Sequence, residues 1–163
     1  MTQLELIENK ILDMESMVRK INTWRLKDDI VVFTNGCFDL LHYGHIDLLS
    51  KAADLGHRLV IGLNSDSSVK QIKGENRPLN DEKTRKMVLA ALVAVDAVIL
   101  FDEATPEKLI AELKPDVLVK GGDYNMDQIV GADIVKKNGG TIEVIPLVEG
   151  YSTTNIEAKI KSN

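Results

Sequence analysis

The chain has 163 residues, a formal net charge of −5 and a pI of about 5.2, and 44% of its residues are hydrophobic. That suits one domain with a sizeable core, while the acidic balance argues against a nonspecific nucleic-acid binder, and 11 glycines and 4 prolines against a low-complexity chain. One cysteine, Cys37, excludes an intrachain disulfide; with no apolar run near ~20 residues and no basic-then-apolar leader, a cytoplasmic protein with no membrane partner is expected.

In chain order, Leu4, Ile7, Ile11 and Leu12, then Met17, Val18 and Ile21, recur at helical spacing over 4–22. Ser16 is a candidate cap for a second segment running toward Trp24. Ile30 to Phe33 is a short, wholly apolar strand, and Gly44 to Leu55 predicts a helix stopped by Gly56. Leu59 to Leu63 is a second strand, KGENRPLN (73–80) a polar loop, and Asp81 caps a helix to about Val93. Ala97 to Phe101 is a third strand, and Thr105-Pro106 opens a helix that ends before Pro115. Val117 to Val119 and Thr141 to Ile145 are the fourth and fifth strands, Gly139-Gly140 turns into the latter, and a last helix starts near Ser152. Apolar strands alternating with helices predict an α/β fold: a single Rossmann-like, doubly wound parallel sheet of about five strands. Ligands of such sheets bind at the carboxyl ends of the strands, where polar residues collect after Phe33, Leu63, Val119 and Ile145.

After the first strand comes TNGCFDLLHYGHIDLL, residues 34–49. Gly36 permits a sharp turn, so the amides of Gly36, Cys37 and Phe38 can face an anion. His42 and His45 stand three apart at a helix start and so point the same way, and Gly44 between them leaves room for a phosphate or base. Two imidazole donors at a helix's positive end suit a phosphate; the plain alternative is a capped helix with two solvated histidines. Cys37 has no base partner and reads as a small packed residue. A zinc site from His42, His45 and His57 lacks a supporting cysteine pair, so no protein-held metal is expected. Neither G-x-G-x-x-G nor a P-loop occurs, which sets aside a dinucleotide oxidoreductase and a P-loop NTPase.

The H-x-G-H segment resembles the nucleotidyltransferase superfamily that carries this mark, which includes cytidylyltransferases and pantetheine-phosphate adenylyltransferase. NSDSSVKQIKGENRP (64–78), VKGGDY (119–124) and GYSTTNI (150–156) extend the resemblance over about residues 24–161. Together they resemble one subfamily, the adenylyltransferase domain of bifunctional heptose-phosphate kinase/adenylyltransferases and its stand-alone counterparts. The chain then divides into a helical extension, 1–23, serving as a packing helix or a dimer element, and a nucleotidyltransferase domain, 24–163. The resemblance implies transfer of AMP from ATP to D-glycero-β-D-manno-heptose 1-phosphate, releasing pyrophosphate without a covalent intermediate, toward lipopolysaccharide core or another surface glycan. The alternatives are glycerol-3-phosphate cytidylyltransferase and, from another class, a non-catalytic nucleotide-binding regulatory module.

Carried over residue by residue, the resemblance gives His42, His45 and Lys73 catalytic roles on the triphosphate. Amides at Gly36, Cys37 and Phe38, beside Gly44, would face phosphate oxygens, and Ser152, Thr153 and Thr154 the β- and γ-phosphates. Lys120, Gly121, Asp123 and Tyr124 would hold ribose and base, and Lys70, Arg77 and Arg85 would lie on the substrate side. Solvated charges at Lys70, Lys73 and Arg85, and turn roles for Asp123 and Tyr124, remain open alternatives. Mg²⁺ is expected to arrive with ATP. The resemblance also implies a homodimer and a separate sugar kinase upstream. Tyr151 departs from the small residue or cysteine common in related domains.

Overall fold

The structure, a computed structural model, describes residues 1–162. Five strands, Val31–Gly36 (β1), Arg58–Asn64 (β2), Ala97–Phe101 (β3), Val117–Gly121 (β4) and Thr141–Ile145 (β5), form one parallel sheet in the order β3-β2-β1-β4-β5. The α/β, Rossmann-like expectation holds. The central strand β1 pairs Val32 with Leu59 on one side and Val117 on the other.

Successive side chains of a strand point to opposite faces, so each apolar strand needs two covers. Val31 and Phe33 pack with Met17, Ile21 and Trp24 of α2 (Met14–Arg25), Leu109 of α6 (Glu107–Leu113) and Val135 of α7 (Ala132–Lys137). Val32 packs the other way, with Leu48 and Leu49 of α3 (Tyr43–Ala53) and Leu89 of α5 (Glu82–Ala90). The remaining helices are α1 (Gln3–Glu8), α4 (Asp66–Lys73) and α8 (Thr153–Lys161), with one 3₁₀ turn at Met126–Gln128.

The helical spacing over 4–22 resolves into two helices, α1 and α2, the second near the segment expected from Ser16 toward Trp24. Between them Leu12 N donates to Val98 O at 2.9 Å and Val98 N to Lys10 O at 2.8 Å, so this stretch covers the outer edge of β3. An open edge strand would otherwise expose unpaired backbone groups. Asp13, not Ser16, caps α2, accepting from Ser16 N at 2.8 Å. Met17 and Ile21 are fully buried in the core beneath the sheet, whereas α1 buries none of its residues, and α2 runs on past residue 23 to Arg25.

Strand order reverses direction beside β1, between β2 and β4. The loops leaving β1 and β4 part there and open a crevice at the carboxyl ends of the strands.

Candidate functional site

The turn leaving β1 builds the floor of that crevice. Phe38 adopts φ +45°, a left-handed conformation rare for a side chain of its size, and its ring is buried. The amides of Cys37 and Phe38 find no acceptor among the described residues. They are donors left over by the fold, as an anion site requires.

The histidine spacing has a structural cause. His42 is the N-cap of α3, and its Nδ1 accepts from Gly44 N at 3.1 Å. His45, three residues on, turns its Nδ1 back to His42 N at 3.4 Å, which completes a reciprocal capping box made of two imidazoles. Each Nδ1 is an acceptor, so each neutral ring carries its proton on Nε2 and presents that N–H outward. Burial lowers the pKa of His42, and it takes His45 to about 4, helped by the positive charges of His42 and Lys73. Both rings are therefore neutral donors at pH 7.

The rings lie side by side, centroids 4.0 Å apart, yet face different hollows. His45 lines the crevice, and His42 lines an outer hollow beside Tyr43, Tyr151 and Ser152. The space at Gly44 is partly filled by the His42 ring. A Cβ there would lie 3.0 Å from the His42 ring and 3.4 Å from Tyr151 Cβ, so glycine is needed to seat the imidazole.

The crevice has two connected parts, of about 220 Å³ and 480 Å³, that share Gly36, Cys37, Lys73, Lys120 and Tyr124. Phe38, Gly121 and Thr153 join His45 in the smaller part. The larger part opens between Asn64, Thr105 and Gln128, with Ile129 and Val130 as an apolar wall. Burial lowers the pKa of Lys120, whose Nζ lies 5.6 Å from the Tyr124 ring centroid. Ser152 caps α8, accepting from Asn155 N at 3.1 Å, which leaves the amides of Thr153 and Thr154 at the helix start without acceptors among the described residues.

Other expected site residues lie elsewhere. Lys70, Asp123 and Thr154 line neither part of the crevice. Arg77 is shared between Asp39, at 2.9 Å from its Nε, and Glu157. Arg85 is buried with its guanidinium spent on Cys37 O, Asn64 O, Asn80 O and Asp66, and it lines neither part of the crevice. His57 accepts from Ile30 N at 2.9 Å at the amino end of β2, the far edge of the sheet from His42 and His45. No group of three His, Cys, Asp or Glu side chains among the described residues is placed to hold a metal.

The sequence marks Asp39 only as a polar neighbour of the site, with nothing that makes it a ligand. It is buried, and it accepts from Leu79 N at 2.8 Å, Asn80 N at 2.8 Å and Arg77 Nε. Burial raises its pKa, but those donors outweigh it and hold the carboxyl below its ordinary value. The sequence signal was an acid placed one residue after the strained turn.

Burial also raises the Cys37 thiol pKa. We expect Cys37 to react with a thiol probe at pH 7.5 at least about tenfold more slowly than free cysteine, and Cys37→Ser to keep most activity. Rapid labelling that abolishes activity would give the sulfur a role that nothing around it supports.

The cytidylyltransferase-like family model matches residues 33–161. The bifunctional protein HldE of Pseudomonas entomophila is 52% identical over 156 residues, covering 96% of this chain and 33% of that protein. HldE of Hyphomonas neptunium is 54% identical over 149 residues, covering 91% of this chain and 31% of that protein. The chain thus spans about a third of the length of these relatives. Among solved structures, a lipopolysaccharide core biosynthesis protein from Thermoplasma volcanium is 31% identical at a TM-score of 0.59, covering 76% of this chain and 99% of that one. A pantoate-beta-alanine ligase from Francisella tularensis, 17% identical at a TM-score of 0.58 over 93% of this chain and 76% of that one, shares the fold.

Proposed function

The chain belongs to the cytidylyltransferase-like family and is a nucleotidyltransferase, and from that premise we propose that it transfers AMP from ATP to D-glycero-β-D-manno-heptose 1-phosphate, giving ADP-heptose and pyrophosphate. The observation that supports this reading most is the neutral Nε2–H donor of His45 beside two unpartnered amides, at Cys37 and Phe38, and Lys73, with the His42 ring 4.0 Å behind it. Such fixed donors suit phosphate oxygens on which charge builds up.

In this reading an oxygen of the sugar phosphate attacks the α-phosphorus from the larger part of the crevice. The bond from that phosphorus to the α,β-bridging oxygen breaks, and pyrophosphate leaves with the electron pair. His45 and the amides of Cys37 and Phe38 hold the α-phosphate oxygens, Thr153 holds the departing phosphates, and His42 meets them from the adjoining outer hollow. Lys73 and Lys120, on the border of the two parts, draw the two anionic substrates together, and Gly121 and Tyr124 flank the nucleoside. Asp39, the carboxylate nearest the turn, is committed to backbone and Arg77 donors. Mg²⁺ would accordingly be held by the triphosphate and water and enter as part of that substrate.

The acceptor would come from a sugar kinase acting in the cytoplasm. No helix among the described residues is long and apolar enough to cross a membrane. A pair of such chains, as the resemblance implies, would carry one crevice each.

The test is pyrophosphate release with ATP or CTP, each against heptose 1-phosphate and glycerol 3-phosphate. We expect release with ATP and the heptose alone. Release with CTP and glycerol phosphate would keep the chemistry and replace both substrates. Silence in all four mixtures with nucleotide still bound would favour a regulatory nucleotide-binding module.

A further inference from the structure

We propose that Arg77 is a positioning residue: held between Asp39 and Glu157, it joins the phosphate-facing turn, the 74–80 loop and α8 into one unit and so sets the start of α8 over the crevice. The loop is stitched to the turn at its far end. Leu79 N and Asn80 N donate to the Asp39 carboxylate, and Asn80 Nδ2 donates to Asp39 O at 2.8 Å. Its near end, at Gly74, turns with φ +99° where a Cβ would meet nothing within 4 Å, and is held only by backbone bonds, among them Arg77 N to Gly74 O at 3.1 Å. Lys73 stands just before that turn and lines the crevice, so the Asp39 stitches anchor the loop beyond it.

From that fixed loop, Arg77 reaches across to α8. None of the residues of α8 is buried, so apolar packing does little to fix the helix. Glu157 takes Nη1 of Arg77, and their side chains are only 26% and 18% exposed, so the pair is shielded from water as most surface pairs are not. Thr153, which lines the crevice, lies four residues before Glu157, one turn along the same face. Holding Glu157 therefore holds the direction of Thr153. The second tie, between the rings of Tyr43 and Tyr151 at 5.1 Å, lies before the helix begins and does not fix its rotation.

The inference rests on the proposed function only in taking the crevice as a triphosphate site. Its test has one readout that needs no nucleotide. In the ligand-free protein, Glu157→Ala is expected to speed amide exchange across α8 about tenfold while β1 stays protected. Alanine is the better helix former, so faster exchange cannot come from weaker helix propensity. Glu157→Gln keeps an acceptor for Nη1 and is expected to restore much of the protection. The affinity for Mg-ATP, measured by calorimetry, is expected to fall about five- to tenfold in Glu157→Ala and to recover in Glu157→Gln. Unchanged exchange in α8 would overturn the proposal, and so would a loosened α8 that binds Mg-ATP as before. Absence of turnover on heptose 1-phosphate would count against the substrate assignment and leave both readouts intact.

Discussion

Replacing His45 with alanine is expected to lower kcat roughly 10²- to 10³-fold, the scale for losing one donor to a transition-state oxygen. The side chain is also a helix cap, but its bond to His42 N is 3.4 Å, and His42 keeps its own bond to Gly44, so the fold survives. His42→Ala removes the N-cap as well, and is expected to cost about 1 kcal/mol of stability on top of a similar fall in turnover. The two variants separate donor from cap: equal stability loss in both, or near-normal turnover in both, contradicts the assignment. The acid limb carries the same information. Because burial depresses the His45 pKa to about 4, the unfolded chain binds this proton more readily than the folded one. Its stabilising contribution is complete above the unfolded value near 6.5 and is lost as pH falls from there through about 4. An NMR titration of the ligand-free protein should find the His45 ring neutral down to about pH 5, and bound triphosphate should raise its pKa. A ring titrating above 6.5 in the ligand-free protein would mean that burial does not govern it.

The sheet was legible because β1 to β4 carry apolar runs buried on both faces, while β5 alternates, with Ile142 and Ile145 buried and Thr141 and Glu143 exposed. Ala97–Phe101 and Thr141–Ile145 begin and end where the pattern placed them, and β1 and β4 run on past the apolar run into the polar residues that form the site. The misses have a common physical cause. In α4 the sequence DSSVKQIK offers the core only Val69 among its apolar side chains, too little for a helical period. In α7, six residues long, Ala132 and Val135 are the buried ones. The break at residues 9–13 follows from the need to cover the edge of β3, which no local pattern announces. In the site, the histidines and the glycine turn were visible because their chemistry is local. The role of Asp39 was not, since its donors lie some 40 residues away in a loop without periodicity. The buried network of Arg85 was hidden for a related reason. An arginine on an amphipathic helix reads as a surface charge until four acceptors from separate segments are seen to converge on it.

Arg85→Met is expected to cost about 3–5 kcal/mol of stability, the range for breaking a buried, hydrogen-bonded charge. The side chain is 1% exposed. Nη1 donates to Cys37 O at 2.7 Å and Asn64 O at 2.8 Å, Nε to Asn80 O at 3.0 Å, and Nη2 to Asp66 Oδ1 at 2.7 Å. One guanidinium thus satisfies the carbonyls at the ends of β1 and β2 and the end of the Asp39-bound loop. Methionine fills most of the volume and leaves the buried Asn64 carbonyl and the part-buried Cys37 and Asn80 carbonyls without this donor. For a chain of this size the loss corresponds to a drop of roughly 10 °C in Tm. Arg85→Lys is expected to recover little, because an ammonium is a point charge and the acceptors lie along the planar fork of a guanidinium. The two placements of Arg85 predict opposite results. A substrate contact would leave Tm in place and weaken acceptor binding, whereas the buried brace lowers Tm first and affects activity only through the turn that carries Cys37 and Phe38.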